Sequence, residues 1–249
     1  LNYPKVMEDD TINKLYYNMD TKEGNVRVFS PIPSCAYHLS YQEPFSIHVP
    51  QLQWQHLWDS NHYLHLFEGW FNYDPFFNSI VQSLPNDAKV IEVGSWLGKS
   101  TIGMVNTSRR FGKNFDFYAI DTWEGSEEPK HYETIAELKE HNHTPYDEFM
   151  TNIEIYGVKN AITPIQKTSE EASEDFQDEY AELIIIDAAH DYVNVTNDIK
   201  HWLPKVKKGG ILCGDDYDEK WPSVVQAVKD YFGEGNYQVY GSTWFKVIQ

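Results

Sequence analysis

An apolar strand that ends in a glycine turn and leads into a helix is the feature that most limits how this chain can fold. The stretch is Val90-Ile-Glu-Val-Gly-Ser-Trp-Leu-Gly-Lys-Ser-Thr101. Such a strand–turn–helix unit is typical of α/β folds and presents backbone N–H groups at the start of the helix. Gly94 and Gly98 have no side chain that would keep a ligand away from the backbone. The turn therefore predicts a binding site for a nucleotide-like ligand.

The spacing of the two glycines distinguishes between cofactor classes. The dinucleotide fingerprint is G-x-G-x-x-G, whereas three residues separate Gly94 from Gly98. With Glu92 and Ser100 the pattern reads E-x-G-x-x-x-G-x-S. This pattern resembles the first motif of class I S-adenosylmethionine-dependent methyltransferases, particularly the catechol O-methyltransferase-like branch. The alternative is some other Rossmann-like strand–helix turn, because this unit serves many functions.

A second motif follows the next predicted strand, in Phe115-Asp-Phe-Tyr-Ala-Ile-Asp121-Thr-Trp-Glu-Gly. A carboxylate at the tip of this strand can accept hydrogen bonds from both hydroxyls of a ribose, which makes Asp121 the predicted adenosine ligand. The alternative is that Asp121 caps the following loop. The run from Asp121 resembles the second motif of a bacterial family related to sugar and macrolide O-methyltransferases. This resemblance implies that Thr122 and Trp123 lie near the cofactor, with Trp123 against the adenine or in the core or a lid.

Carboxylates end two further apolar runs, Leu183-Ile-Ile-Ile-Asp187 and Gly209-Gly-Ile-Leu-Cys-Gly-Asp215-Asp216. Both runs are typical of buried parallel strands, and ligands bind at the carboxyl edge of such a sheet. Three carboxylates in one pocket repel one another unless a cation lies between them. An all-oxygen site of this kind suits Mg²⁺, with Mn²⁺ or Ca²⁺ as substitutes. The alternative is that these aspartates only close strands and cap turns.

The resemblance extends to individual residues of this edge. Metal-dependent catechol-type O-methyltransferases carry an aspartate after the fourth strand and an Asp-Asp or Asp-Asn pair after the fifth, which match Asp187, Asp215 and Asp216. Their catalytic base is a lysine three residues after the first aspartate, where this chain has His190. Sugar-type relatives carry Ile-Asp-x-Asp-His-x-Tyr, and Ala189 replaces the second aspartate of that motif. The resemblance implies a magnesium site at the three aspartates and catalytic roles for Asp187 and His190. His190 would be the general base or, alternatively, a structural histidine.

The resemblance also implies a set of residues for S-adenosylmethionine, drawn from the ends of four strands. Ser169, after the third strand, is the least specific of them, because serine also suits the start of a helix. The full set is Glu92, Gly94, Ser95, Trp96, Gly98, Ser100, Asp121, Thr122, Trp123, Ser169 and Asp187.

The order of predicted elements over residues 72–249 is that of a Rossmann-like class I methyltransferase fold. We expect an α/β domain with a mostly parallel seven-stranded sheet, helices on both faces and an antiparallel C-terminal strand. Asp74-Pro75 starts the leading helix. Predicted strands cover residues 90–93, 117–120 and 161–166, predicted helices cover 147–156, 197–206 and 223–232, and a closing hairpin covers 237–239 and 243–247.

Two segments lie outside this pattern. Residues 1–71 form an aromatic-rich N-terminal extension or lid, with many Trp, Tyr, Phe and His residues between Gln53 and Phe71. These rings could cover a substrate or pack on the core or on a second subunit, which leaves a homo-oligomer open. The connection from Gly125 to Pro145 has the length of a functional loop that gates a pocket.

Composition limits the partners. The net charge of −18 argues against nucleic acid, since phosphate binding needs clustered lysines and arginines. No apolar stretch approaches the ~20 residues of a membrane span. Cys35 and Cys213 are too far apart in sequence to suggest a disulfide framework, which fits a reducing, cytoplasmic setting.

These observations favour an enzyme that transfers a methyl group from S-adenosylmethionine to a hydroxyl of a small molecule, such as a sugar, diol or phenol, with help from a divalent metal. One alternative is a catalytically silent or regulatory cofactor-binding domain, for which Ala189 is the sequence hint. An NAD-linked oxidoreductase is a further alternative, which the glycine spacing disfavours.

Overall fold

The computed structural model describes residues 68–126 and 128–249 of the chain. A seven-stranded sheet lies at its centre, with the order β3-β2-β1-β4-β5-β7-β6. Strands β1 to β5 pair in parallel, and β7 is antiparallel to β5 and β6. The predicted sheet with its antiparallel C-terminal strand is confirmed. The strands are β1 Lys89–Val93, β2 Asp116–Asp121, β3 Ile162–Gln166, β4 Ala181–Ile186, β5 Val206–Gly214, β6 Gln238–Tyr240 and β7 Thr243–Val247.

Seven α-helices in the described residues connect or flank these strands. The crossovers from β1 to β2 and from β4 to β5 run in opposite directions from the middle of the sheet, so right-handed connections place their helices on opposite faces. Helix α1 packs on α2, and α6 packs on both α5 and α7. The helices are α1 Asp74–Ile80, α2 Lys99–Arg110, α3 Pro129–Glu140, α4 Pro145–Ile155, α5 Ser169–Ser173, α6 Tyr192–Trp202 and α7 Pro222–Phe232.

From β1 the chain adds strands towards one edge of the sheet, and from β4 it adds them towards the other edge. The site lies at this switch point between β1 and β4. These strands are neighbours, with Val93 paired to Ile186, so the chain leaves both at the same point of the carboxyl edge. The backbone N–H of Asp187 donates to the carbonyl of Val93 at 2.8 Å. Ligands of open α/β sheets bind in the crevice at such a switch point. The glycine turn after β1 and the aspartate after β4 are therefore brought into contact by topology.

The sheet is buried on both faces, which explains why its strands are recognisable as continuous apolar runs. Leu183, Ile184 and Ile185 of β4 are all buried, and so is Cys213 of β5. Cys213 is a free thiol, and Cys35 lies outside the described residues. Among the described helices, none has the length and apolar composition that a membrane crossing needs.

Two helices differ from the sequence prediction. Helix α6 begins at Tyr192, five residues before the predicted start at residue 197, because the Asp191 side chain caps it by accepting from the N–H groups of Val193 and Asn194. The connection predicted as a long loop contains helix α3, which begins at Pro129. Proline suits the first position of a helix because its missing N–H is not needed there. The predicted extension or lid lies outside the described residues, except for residues 68–71.

Candidate active site

A cavity of about 520 Å³ opens at the carboxyl edge of the sheet, where β1, β2, β4 and β5 end. Its volume lies within the range of small-molecule sites. Most of the residues predicted for the site line it. They are Gly94, Ser95, Trp96, Ser100, Asp121, Thr122, Ser169, Asp187, His190, Asp215 and Asp216.

The glycine turn is held too tightly for any side chain at its first position. A Cβ atom on Gly94 would lie 1.9 Å from the carbonyl oxygen of Asp187, and the residue has φ +91°. Its N–H donates to the carbonyl of Ile120 at 2.8 Å. Trp96 also has a positive φ, of 42°, which is rare for a bulky residue and is found where structure serves function. Gly94 is therefore required by the close approach of the chain after β1 to the chain after β4, and the turn that it forms lines the cavity.

Asp121 ties this turn to β2. Its Oδ2 atom accepts from the backbone N–H groups of Ser95 at 3.0 Å and Trp96 at 2.8 Å, and its Oδ1 accepts from Trp123 N–H at 2.7 Å. Burial raises the pKa of Asp121, and these backbone hydrogen bonds oppose the rise. A carboxylate has about four acceptor positions, so roughly one remains for a ligand. Asp121 lies where a ribose ligand is predicted. To accept hydrogen bonds from both ribose hydroxyls, its carboxylate would have to break one of its hydrogen bonds to the backbone.

Three predicted cofactor residues do not line the cavity, and each supports the turn instead. Gly98 caps α2 with φ +88°. The indole N–H of Trp123 donates to the carbonyl of Trp96 at 2.6 Å, and its ring packs on Phe149 in the core. The sequence left three placements open for Trp123, against the adenine, in the core or in a lid, and the structure has it in the core. Glu92 is 1% exposed and lies in a buried network.

The network around Glu92 joins three elements. Its Oε1 atom accepts from the Tyr73 hydroxyl just before α1, and its Oε2 accepts from the Thr101 hydroxyl in α2. Burial raises the pKa of Glu92, and hydrogen bonds from Ser100, Thr101 and Tyr73 oppose the rise. A buried carboxylate without its donors is costly, so each donor contributes to the free energy of unfolding.

We expect Tyr73→Phe to lower the free energy of unfolding by about 1–3 kcal/mol, because it leaves a buried carboxylate oxygen without its donor. Urea denaturation measures the change. Tyr132→Phe is the matched control, since Tyr132 is 61% exposed. A loss no larger than that of the control would mean that the hydroxyl of Tyr73 does not support Glu92.

Ser169 lines the cavity and is also the first residue of α5, so it fits both descriptions given by the sequence. Its hydroxyl donates to Asp198 and accepts from the indole N–H of Trp202 at 2.9 Å. These bonds use the only proton of the hydroxyl and one of its two lone pairs, so the side chain of Ser169 has no donor left for a ligand and one acceptor position, besides its backbone.

A carboxylate and imidazole cluster forms the other side of the cavity. Ligand atoms of Asp187, His190 and Asp216 all lie within 4.8 Å of one another. The sequence grouped Asp187 with Asp215 and Asp216. Asp215 lies beside the cluster, and its Oδ1 accepts from the Ser242 hydroxyl at 2.7 Å. Burial raises the pKa of Asp187 well above its usual value, and the charges of Asp215 and Asp216 raise it further.

The carboxylates of this cluster have the chemistry of a cation site. No described lysine or arginine pairs with them, and carboxylate oxygens are ordinary ligands of divalent metals. Asp216 has φ +60°, an unusual conformation that an aspartate tolerates and that fixes where its carboxylate lies. The residues present therefore fit a divalent cation.

Three residues surround the ring of His190. Its Nε2 atom lies 2.7 Å from Asp216 Oδ2, its Nδ1 lies 3.7 Å from Glu128 Oε1, and its ring stacks on Trp221 with centroids 3.9 Å apart. Burial lowers the pKa of His190, but the hydrogen bond to Asp216 and the charges of Asp216, Glu128 and Asp215 outweigh it, so the pKa is raised. Asp216 thereby orients the ring, while Nδ1 stays beyond hydrogen-bonding distance of Glu128.

Several residues of the cavity wall were not identified from sequence, and four of them bear on the chemistry of the site. Glu128 and His131 lie at the start of α3, in the segment predicted as a loop. Pro129 was a signal for a helix start there. Trp70 and Trp221 also line the cavity. No motif marks these two tryptophans in the sequence.

The sequence matches a family model described as a methyltransferase domain over residues 91–217, which is more than half of the chain. One curated relative is the "Uncharacterized protein y4gI" of Sinorhizobium fredii, 24% identical over 156 residues that make up 62% of this chain. The chain spans only 16% of the length of that relative.

Solved structures share the fold at low sequence identity. Cofactor-bound Rv0187 from MTB has a TM-score of 0.50 and 14% identity, over 89% of this chain and 99% of that one. A protein from Corynebacterium glutamicum has a TM-score of 0.51 and 10% identity, over 87% and 98%. The O-methyltransferase NovP has a TM-score of 0.52 and 15% identity, over 71% and 79%. At these identities the likeness concerns the fold alone.

Proposed function

The chain belongs to the methyltransferase-domain family and has the class I S-adenosylmethionine-dependent methyltransferase fold, and on that premise we propose that it methylates a hydroxyl group of a small molecule. The observation that carries the proposal is the cluster of Asp187, His190 and Asp216 beside the glycine turn. A hydroxyl becomes a better nucleophile when a base takes its proton or when a nearby cation lowers its pKa, and this cluster offers a base in His190 and carboxylates that could hold the cation. The O-methyltransferase NovP has the same fold, which is consistent with the proposal.

The proposed cofactor site follows the glycine turn. Asp121 and Thr122 would hold the adenosine end, the backbone of Ser169 would contact the adenine, and the turn from Gly94 to Trp96 would hold the methionine end. Ser100 lines the same wall. The cofactor supplies an electrophilic methyl group. The buried support from Glu92, Gly98 and Trp123 keeps this wall in shape, so these residues act on the cofactor indirectly.

The proposed cation would be held by Asp187 and Asp216, with Asp215 next to them. When bound, Mg²⁺ or another divalent cation supplies positive charge that lowers the pKa of an acceptor hydroxyl. Burial and then the repulsion from Asp215 and Asp216 raise the pKa of Asp187, and a cation between these carboxylates would relieve that repulsion.

His190 is the proposed general base. Its Nε2–H donates to Asp216, which orients the ring in the way that a carboxylate orients a catalytic histidine. The Nδ1 atom, unprotonated in this tautomer, would take the proton of the acceptor hydroxyl as the methyl group passes from the cofactor sulfur to that oxygen and S-adenosylhomocysteine is released. Trp221 stacks on the ring and keeps its plane fixed. General bases of this kind contribute about 10²–10⁴-fold to rate.

The proposed acceptor is a sugar, diol or phenol. Trp70 and Trp221 supply flat apolar faces to the cavity wall, and Glu128 and Asp218 supply hydrogen-bond acceptors for hydroxyl groups. The net charge of −18 supports a small-molecule acceptor over nucleic acid. We further propose that residues 72–249 form the methyltransferase domain and that residues 1–71 are an extension or lid.

Methyl transfer from labelled S-adenosylmethionine to a panel of sugars, diols and phenols tests the proposal. We expect turnover on at least one hydroxyl acceptor, lost in EDTA and restored by Mg²⁺ or Mn²⁺. Turnover that persists fully in EDTA would contradict the metal role but keep the methyl transfer. Binding of S-adenosylhomocysteine without turnover on any acceptor would favour the silent cofactor-binding domain.

A further inference from the structure

Two buried ring N–H groups in the cavity wall have no acceptor within the part of the chain that the structure describes. They are His131 Nε2 on α3 and Trp96 Nε1 on the glycine turn. The two rings pack on each other in a tilted arrangement, with centroids 3.9 Å apart and 31° between their planes. The exposed fractions are 9% for His131 and 8% for Trp96. Buried donors are almost always satisfied in folded proteins, so an unpaired couple at a cavity calls for a ligand atom.

The proton of His131 is fixed on the unpaired nitrogen. The backbone N–H of Ser126 donates to His131 Nδ1 at 3.0 Å, and a backbone N–H can only donate. A neutral ring must then carry its proton on Nε2. Burial, followed by the nearby charge of His190, lowers the pKa of His131 to about 4, so the ring is neutral near pH 7. His131 is therefore a neutral N–H donor.

The ligand atom must be an acceptor, and the rest of the cavity indicates which one. Six carboxylates line the described walls, namely Asp121, Glu128, Asp187, Asp215, Asp216 and Asp218. A negatively charged ligand group would be repelled near most of them. Three lysines, Lys99, Lys167 and Lys220, line the cavity as well, and Lys167 pairs with Asp175. The two unpaired ring donors lie where the glycine turn meets α3, beside the residues proposed for the methionine end of the cofactor.

We propose that His131 and Trp96 together bind the carboxylate of the amino-acid part of the cofactor. This inference rests on the proposed function, because it takes the glycine turn as the cofactor site. It makes His131 a cofactor-binding residue contributed by α3, the helix that follows the second strand. It also gives the connection between Gly125 and Pro145 a direct role at the ligand.

Calorimetric titration with two ligands tests the proposal. S-Adenosylhomocysteine carries the amino-acid carboxylate, whereas 5′-methylthioadenosine has the same nucleoside thioether without it. In the full-length protein we expect His131→Phe, which keeps a flat ring, to weaken S-adenosylhomocysteine about 10- to 100-fold, as for a lost hydrogen bond to a charged group. Its affinity for 5′-methylthioadenosine should stay within about twofold. His131→Gln keeps an N–H donor and should recover part of the loss, and Trp96→Phe should reproduce it.

The control is Tyr132→Phe, an exposed neighbour on α3, which should change neither affinity. Equal weakening of both ligands by His131→Phe and His131→Gln, or no weakening of either, would overturn the assignment of the carboxylate. A wild-type protein that binds both ligands equally would overturn it as well, while leaving the cofactor site in place. Binding of neither ligand by the wild type would instead contradict the proposed function itself, and this inference with it.

Discussion

Gly94→Ala is expected to weaken S-adenosylhomocysteine binding by more than about 100-fold, or ~2.7 kcal/mol. The added Cβ would lie 1.9 Å from the Asp187 carbonyl oxygen and 2.7 Å from Ala188 Cα, so backbone would have to move at the contact between β1 and β4. That contact lies at the cavity proposed for the cofactor. Overpacking and the positive φ each cost roughly 1–3 kcal/mol, so the free energy of unfolding should fall by about 2–6 kcal/mol. Calorimetry and urea denaturation measure the two effects.

Gly112→Ala is the matched control for this prediction. Gly112 also has a positive φ, of 68°, but a Cβ atom there would meet nothing within 4 Å. We expect this variant to lose about 1 kcal/mol of stability and none of its ligand affinity. A Gly94→Ala protein that binds S-adenosylhomocysteine as the wild type does would show that the ligand does not use this turn.

Asp216→Asn is expected to lower the rate of methyl transfer by about 10²–10⁴-fold while S-adenosylhomocysteine affinity stays within about threefold. The amide keeps the shape of the side chain but removes its charge from the cluster. It also replaces the carboxylate that lies 2.7 Å from His190 Nε2. The loss should therefore appear in kcat on the best acceptor, and a calorimetric titration with Mn²⁺ should show weaker metal binding.

Asp116→Asn controls for the loss of an aspartate elsewhere. Asp116 is exposed at the first position of β2, at the opposite end of the strand from Asp121. This variant should keep wild-type kcat and metal affinity. Full activity in the Asp216→Asn protein would contradict both the cation role of Asp216 and its orientation of His190.

The strands and the site edge could be predicted because their signals are local. Continuous apolar runs such as Leu183 to Ile186 are typical of buried parallel strands, and the strand order then places their ends together. Gly94, Asp121 and Asp187 could be placed at the cavity on this basis alone. Their contacts could not, since the hydrogen bonds from the glycine turn to Asp121 depend on the exact backbone conformation of Ser95 and Trp96.

The different surroundings of neighbouring site residues, and the position of His131, depend on long-range contacts that the sequence does not reveal. Asp215 and Asp216 are adjacent in sequence, yet Asp216 joins the cluster while Asp215 accepts from Ser242 on the C-terminal hairpin. No local pattern distinguishes the two. His131 was missed because α3 is a polar helix with few buried positions, so its periodicity is weak and only Pro129 marks its start. The partner of its ring, Trp96, lies 35 residues earlier in the sequence.

The most direct test of the cofactor site is the melting temperature of chelator-treated protein with S-adenosylhomocysteine, with NAD or with neither. At 100 times the dissociation constant a ligand adds about 2.7 kcal/mol, which for a domain of this size corresponds to a rise of roughly 5–10 °C. A rise with S-adenosylhomocysteine alone is the predicted result. No rise with S-adenosylhomocysteine, or a rise with NAD only, would contradict the assignment of the glycine turn and the methyl-transfer chemistry built on it.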